Sequence, residues 1–222
     1  DEIKKIIKAA FERAVEMRLD SDRPLAALLS GGLDSSLVCA IAAKYLKKHG
    51  KTLKTFSIGM PGATDQYYAE LVAKHIGSDH THVELSTQDF IDAIRDVIWT
   101  TETYDITTIR ASVGQYLISK WISDNTDYKV LLIGDGSDEL TGGYKYFHHA
   151  PSPEELHDEN LRLLRQIYQF DSLRADRCIA RWGLEARVPY LDKDFINIYL
   201  HIDPKHRVPI DGHEKWLLRA SF

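Results

Sequence analysis

Apolar residues at Ile3, Ile6, Ile7, Ala10, Phe11, Ala14, Val15 and Leu19 recur at spacings of three and four, which predicts a helix over 1–19 with one buried stripe. Leu25 to Leu29 is apolar at every position and bounded by turn formers, so it reads as a strand buried on both faces. The pattern then alternates. A helix is predicted over 34–49 with Gly50 past its end, a strand over 53–58, a helix over 66–76 with Gly77 past its end, and a strand over 81–85. Helices over 87–99 and 111–123 and a buried strand over 129–133 follow. Helices between successive strands imply parallel pairing with right-handed crossovers, so residues 1–150 read as an α/β doubly wound parallel sheet. After Pro151 and Pro153 no strong strand pattern remains. Helical periodicity over 154–170, 172–182 and 192–200 predicts a helical subdomain over 151–222 packed on the first part.

With 222 residues the chain can bury a sizeable core without a metal or disulfide staple. Its 44% hydrophobic and 27% charged residues exclude a disordered or low-complexity chain. Acidic residues outnumber basic ones, 33 to 28, and the net charge of -5 leaves no broad positive field. Neither nucleic acid nor a membrane is therefore an expected partner, and no apolar run approaches the ~20 residues of a span. Cys39 and Cys178 lie far apart inside apolar helical patterns, as reduced core thiols of a cytoplasmic protein do. The chain starts at Asp1 rather than Met, and helix-like sequence runs up to Phe222, so it is expected to be part of something longer.

Chemistry concentrates in the loop after the first strand, Ser30-Gly31-Gly32-Leu33-Asp34-Ser35-Ser36. Glycines let backbone amides approach a ligand, serines add hydroxyl donors, and the following helix N-terminus adds partial positive charge, the ingredients of a phosphate cradle. The lysine of a G-x-x-x-x-G-K-[ST] loop is missing, and so is the dinucleotide G-x-G-x-x-G spacing. Asp34 beside phosphate would repel it unless a cation intervenes, and Mg2+ would resolve that conflict; the bland alternative is a helix cap. A second loop, Gly134-Asp135-Gly136-Ser137-Asp138-Glu139, follows another apolar strand. Ligands collect at the carboxyl ends of strands in such sheets, so both loops could face one site and Asp34 and Asp138 could share a metal. An acidic surface turn is the alternative.

Ser-Gly-Gly-Leu-Asp-Ser-Ser resembles the pyrophosphate loop of the ATP pyrophosphatase superfamily. Further segments narrow the resemblance to the synthetase domain of the glutamine-hydrolysing asparagine synthetase family: Glu102 to Ser112, Gly134 to Tyr144, Trp182 to Asp192, and Glu214-Lys215. The match covers essentially the whole chain in the family's order. It implies ATP-dependent conversion of aspartate to β-aspartyl-AMP with release of pyrophosphate, then attack by ammonia to give asparagine and AMP. By resemblance, Ser30, Gly31, Gly32, Ser35 and Ser36 hold pyrophosphate and Asp34 and Asp138 hold Mg2+. Leu29, Ile58, Ile133 and Gly134 complete the ATP site. Thr107, Thr108 and Arg110 match the substrate segment, a guanidinium there being able to grip carboxylate or phosphate through two hydrogen bonds. Lys215 supplies charge at the α-phosphate, and Asp135 stands where the family has an acid that helps form or consume the intermediate.

The family commonly has Ser-Gly-Glu-Gly where this chain has Ile133-Gly134-Asp135-Gly136, so a hydroxyl is lost and the acid is shorter by one methylene. Glutamine-dependent members also carry an N-terminal glutaminase domain, which is absent from this chain and is an expected partner in the full-length protein, as is a second copy in a homodimer. Glu185 and Arg187 are read as structural. Two alternatives stand beside the leading one. A β-lactam-forming relative would have tyrosine at the position of Asp135, and a nucleotide-binding domain without turnover would bind ATP and make no asparagine.

Overall fold

A computed structural model describes residues 1–222. The chain runs α1 (Glu2–Glu16), β1 (Leu25–Leu28), α2 (Leu33–Lys48), β2 (Lys54–Gly59), α3 (Thr64–Ile76), β3 (Asp79–Glu84), α4 (Thr87–Asp92), α5 (Ile94–Thr101), α6 (Ile106–Asn125) and β4 (Val130–Leu132). It continues through α7 (Ser137–Thr141), α8 (Pro153–Gln166), α9 (Asp171–Ala180), β5 (Glu185–Arg187), α10 (Lys193–His201) and α11 (Trp216–Ser221).

The strands form one parallel sheet in the order β3-β2-β1-β4-β5, with Ala27 of β1 opposite Thr55 on one side and Leu132 on the other. Every strand neighbour is parallel because each crossover passes through helix. Successive residues of the central strands bury opposite faces, which is why both strands are apolar throughout. Ala27, Leu29 and Leu132 join a core with Phe11, Val38, Phe195, Tyr199 and Leu218. Ala26, Leu131 and Ile133 join Phe56, Ile118, Ile122, Ala175 and Ile179 on the other face.

The chain moves outward from β1 through β2 to β3, then returns to the far side of β1 as β4. This reversal opens a crevice beyond the carboxyl ends of β1 and β4, where a doubly wound sheet accepts ligands.

Three expectations change. Contrary to the reading that no strand follows residue 150, β5 pairs with β4, Val130 opposite Glu185, so the sheet takes its last strand from the second half. Glu-Ala-Arg escaped notice because a three-residue edge strand buries too little to need an apolar pattern. The helix expected over 87–99 divides at Ala93 into α4 and α5, and Ser86 and Asp89 form a reciprocal capping box at its start. The helix expected to begin at residue 111 begins at Ile106, because Asp105 accepts the Thr108 amide at 2.7 Å. The two halves also touch through aromatic rings: Phe11 of α1 packs 4.3 Å from Tyr190 and 4.8 Å from Phe195, ring centre to ring centre.

Candidate active site

The two glycine loops meet at the crevice. Gly134 has no room for a side chain, since a Cβ there would lie 2.9 Å from the Ser35 amide nitrogen. Gly31 adopts φ +83° beneath α3, where a Cβ would run into the backbone of Tyr68 and Ala69. Ser35 Oγ accepts the Ser30 amide at 3.2 Å, Ser30 Oγ accepts the Gly32 amide at 3.3 Å, and the two hydroxyls lie 3.0 Å apart. The loop is thus braced by its own serines. Its following helix, α2, starts without a side-chain cap, leaving first-turn amides for an anion. Ser36 Oγ is buried with no partner, an orphan donor in the same turn.

The second loop is acidic and already neutralised. Lys215 Nζ donates to Asp34 Oδ1 and Oδ2 at 2.7 and 2.6 Å, reaches Asp138 Oδ1 at 2.7 Å, and lies 3.3 Å from Ser137 Oγ. Ser137 Oγ also donates to Asp34 Oδ1 at 2.8 Å. Lys215 gets there at φ +57°, unusual for a side-chain-bearing residue, and passes Gly143, where a Cβ would collide with Lys215 and Asp138. Burial raises the Asp34 pKa, Lys215 opposes that rise, and Asp138 adds to it. The convergence of two carboxylates on one point charge is a donor set suited to Mg2+, which is commonly held by one or two carboxylates together with phosphate oxygens.

Beside this cluster a cavity of about 490 Å³ opens between the ends of β1 and β2 and one face of α6. Leu29, Ile58 and Met60 give it apolar walls; Ser30, Arg110, Gln115, Asp135 and Arg174 give it polar ones. Arg174 Nη2 donates to Asp135 Oδ1 at 3.1 Å and also pairs with Asp171. Burial raises the Asp135 pKa, and Arg174 works against it. Nearby Glu139 is buried and accepts a hydrogen bond from Tyr144 Oη; burial, then Asp171, pushes its pKa up to about 7.

Of the residues singled out from sequence, Leu29, Ser30, Ile58, Arg110 and Asp135 line the cavity. Asp34, Ser35, Gly134, Asp138 and Lys215 gather in the adjoining polar cluster. Thr107 and Thr108 do not reach the cavity wall, and Thr108 is buried in the first turns of α6. Ile133 sits in the core below the loop rather than at its surface. Glu185 pairs with Arg187 at 2.7 Å, and Arg187 also donates to the Arg18 carbonyl at 2.9 Å, a tie between chain segments. Burial pushes the Cys39 thiol up to about 12, so it is no nucleophile.

Sequence reasoning passed over Arg174, Asp171 and Gln115, and named Tyr144 only as the end of the second family segment, with no chemistry of its own. Each lies on or beside a helix where a polar residue reads as solvent-facing, and only packing turns it inward. The available signal was Arg174 and Asp171 at an i,i+3 spacing on α9.

A family model described as asparagine synthase matches residues 7–157 and 149–222. The chain is 53% identical to the human and bovine proteins named asparagine synthetase (glutamine-hydrolyzing), over 99% of its own length and 40% of theirs. The chain therefore spans two fifths of the length of these curated relatives. Among solved structures, a U34-tRNA thiolase from Methanococcus maripaludis aligns with a TM-score of 0.48 at 15% identity, covering 98% of this chain and 71% of that one.

Proposed function

The chain belongs to the asparagine synthase family, and from that premise we propose that it is the synthetase portion of an ATP-dependent amide ligase, activating aspartate as β-aspartyl-AMP and passing it to ammonia. What carries this reading is the meeting of an anion-ready loop with a buried, charge-compensated acidic cluster at the carboxyl ends of β1 and β4. Braced amides and the Ser30, Ser35 and Ser36 hydroxyls would receive the departing pyrophosphate. The apolar walls formed by Leu29, Ile58 and Met60 suit an adenine base, and Gly134, packed against Ser35 and Asp34, would add its backbone from the neighbouring loop.

Asp34 and Asp138 would hold Mg2+, which supplies charge neutralisation to the phosphates. Lys215 then presents its ammonium to the α-phosphate from the same cluster. Arg110, exposed at the cavity edge on α6, would orient the aspartate carboxylate or the phosphate. Thr107 and Thr108 serve this arrangement through the first turns of α6, which place Arg110. Asp135, held by Arg174, is the base for the incoming nitrogen. Its shorter reach relative to glutamate is set against a fixed orientation, since Arg174 secures one of its oxygens.

The relatives are named as glutamine-hydrolysing, and glutamine supplied through an N-terminal glutaminase domain is the nitrogen source in this proposal. A single synthetase unit spanning the chain is supported by the shared sheet and by α1 packing on the second half. A cytoplasmic setting is supported by the two buried free thiols.

The test is incubation of the full-length protein with ATP, Mg2+, aspartate and ammonia. Formation of AMP, pyrophosphate and asparagine in equal amounts is the expected result; ADP in place of AMP would overturn the reading.

A further inference from the structure

Five buried side-chain polar atoms have no hydrogen-bond partner, and only one of them, Gln115 Oε1, belongs to a residue that lines the nucleotide cavity. Gln115 stands on α6 beside Gly114, about one turn from Ala111 and Ile118 and between one and two turns from Arg110, the residues that present this helix face to the cavity. Its amide nitrogen approaches Asp135 Oδ2 at 3.5 Å, while Arg174 holds Oδ1 of the same carboxylate at 3.1 Å. The side chain that reaches Asp135 through its amide nitrogen therefore also carries the orphan carbonyl, on the other branch of the same amide. Burying an acceptor without a donor is costly, which makes a donor brought by substrate the natural partner.

We propose that Gln115 selects and positions the nitrogen nucleophile, its carbonyl accepting one N–H of ammonia while Asp135 accepts another. This deepens the amide-ligase reading and rests on it. A ribose hydroxyl offers a single O–H and satisfies one acceptor. Ammonia offers three N–H groups to two neighbouring acceptors and keeps its lone pair free. In the step that follows, that lone pair forms the C–N bond to the activated β-carboxyl carbon. The C–O bond to the α-phosphate breaks, AMP leaves with that electron pair, and one N–H proton passes to the Asp135 carboxylate. Arg174 fixes which carboxylate oxygen faces the nitrogen.

Gln115→Met keeps the side-chain length and removes the amide. In the full-length protein it is expected to raise the KM for ammonia roughly tenfold, the loss of one hydrogen bond. The KM for ATP in aspartate-dependent ATP–pyrophosphate exchange is expected to stay within twofold. Gln115→Asn, which retains a shortened amide, should give an intermediate KM for ammonia and supplies the test if the Met variant does not fold. A raised KM for ATP with ammonia unaffected would assign the carbonyl to the nucleotide and overturn the proposal. So would equal losses in both half-reactions, or no change in either. Absence of exchange in the unaltered protein would instead overturn the parent reading, and this one with it.

Discussion

The loop after β1 and the loop after β4 are both glycine-bearing turns from strand to helix, yet they are prepared in opposite ways. The first presents donors that nothing has claimed: uncapped amides at the start of α2 and the buried, unpartnered Ser36 hydroxyl. The second presents acids whose partners are already in place, Asp138 on Lys215, Asp135 on Arg174 and Glu139 under Tyr144. An anion can therefore enter the first loop with little internal rearrangement. Any cation or substrate entering the second must displace or share an existing partner. Asp34 joins the two, since it leaves the first loop and takes its lysine and serine partners from elsewhere in the chain.

The largest expected effect comes from removing the cation that serves both. Lys215→Met should lower kcat/KM for the full reaction by about 1000-fold, the upper range for losing one preorganised charge donor. It should also destabilise the fold, because Asp34 and Asp138 are left facing each other. Gly143→Ala tests the same cluster by sterics alone. Its methyl group would occupy the path of Lys215, and a displacement near 1 Å should cost about 100-fold in rate, measured beside unchanged secondary structure by circular dichroism.

Asp135→Asn should slow asparagine formation by about 100-fold, the lower range for a general base, with a smaller effect on pyrophosphate release. Equal rates for both products in the variant would remove Asp135 from that role. Ser36→Ala separates the loops most directly. Loss of an unpartnered donor should weaken ATP binding about tenfold in a titration and leave the melting temperature of the ligand-free protein unchanged or higher. A drop in that melting temperature would mean that the donors of the first loop, like the acids of the second, already have partners within the fold.

The smallest effect is a pH dependence of stability. Glu139 has a folded pKa raised from 4.5 to about 7, so between those values the native state binds more protons than the unfolded one. Its contribution is fully present below about 4.5 and is lost as pH rises through about 7. Glu139→Gln should flatten the denaturation midpoint between pH 5 and pH 8 relative to the unaltered protein.

Much of the fold was legible because apolar periodicity reports burial directly. β1 and β4 are apolar throughout since both of their faces are covered, and α1 shows one stripe since only one face is. The donor loop was equally readable, as Gly31 and the serines act through local backbone geometry that a short segment specifies by itself. The acid loop was readable only in part. Asp135 and Asp138 could be singled out by position after a strand, but their partners lie far along the chain: Arg174 is 39 residues from Asp135, and Lys215 is 77 from Asp138.

The sequence by itself determined which segments become buried strands, where the phosphate-ready turn falls, and that acids would crowd the second turn. Periodicity, glycine freedom and helix N-terminal charge all act within a few residues. Only the tertiary structure decided which cation meets which acid. Sheet order brings β4 beside β1, α9 aims Arg174 inward, and the left-handed backbone at Lys215 delivers its ammonium past Gly143. Ion pairing falls off steeply with distance and dielectric, so it is settled by packing across the whole chain and leaves no local pattern to read.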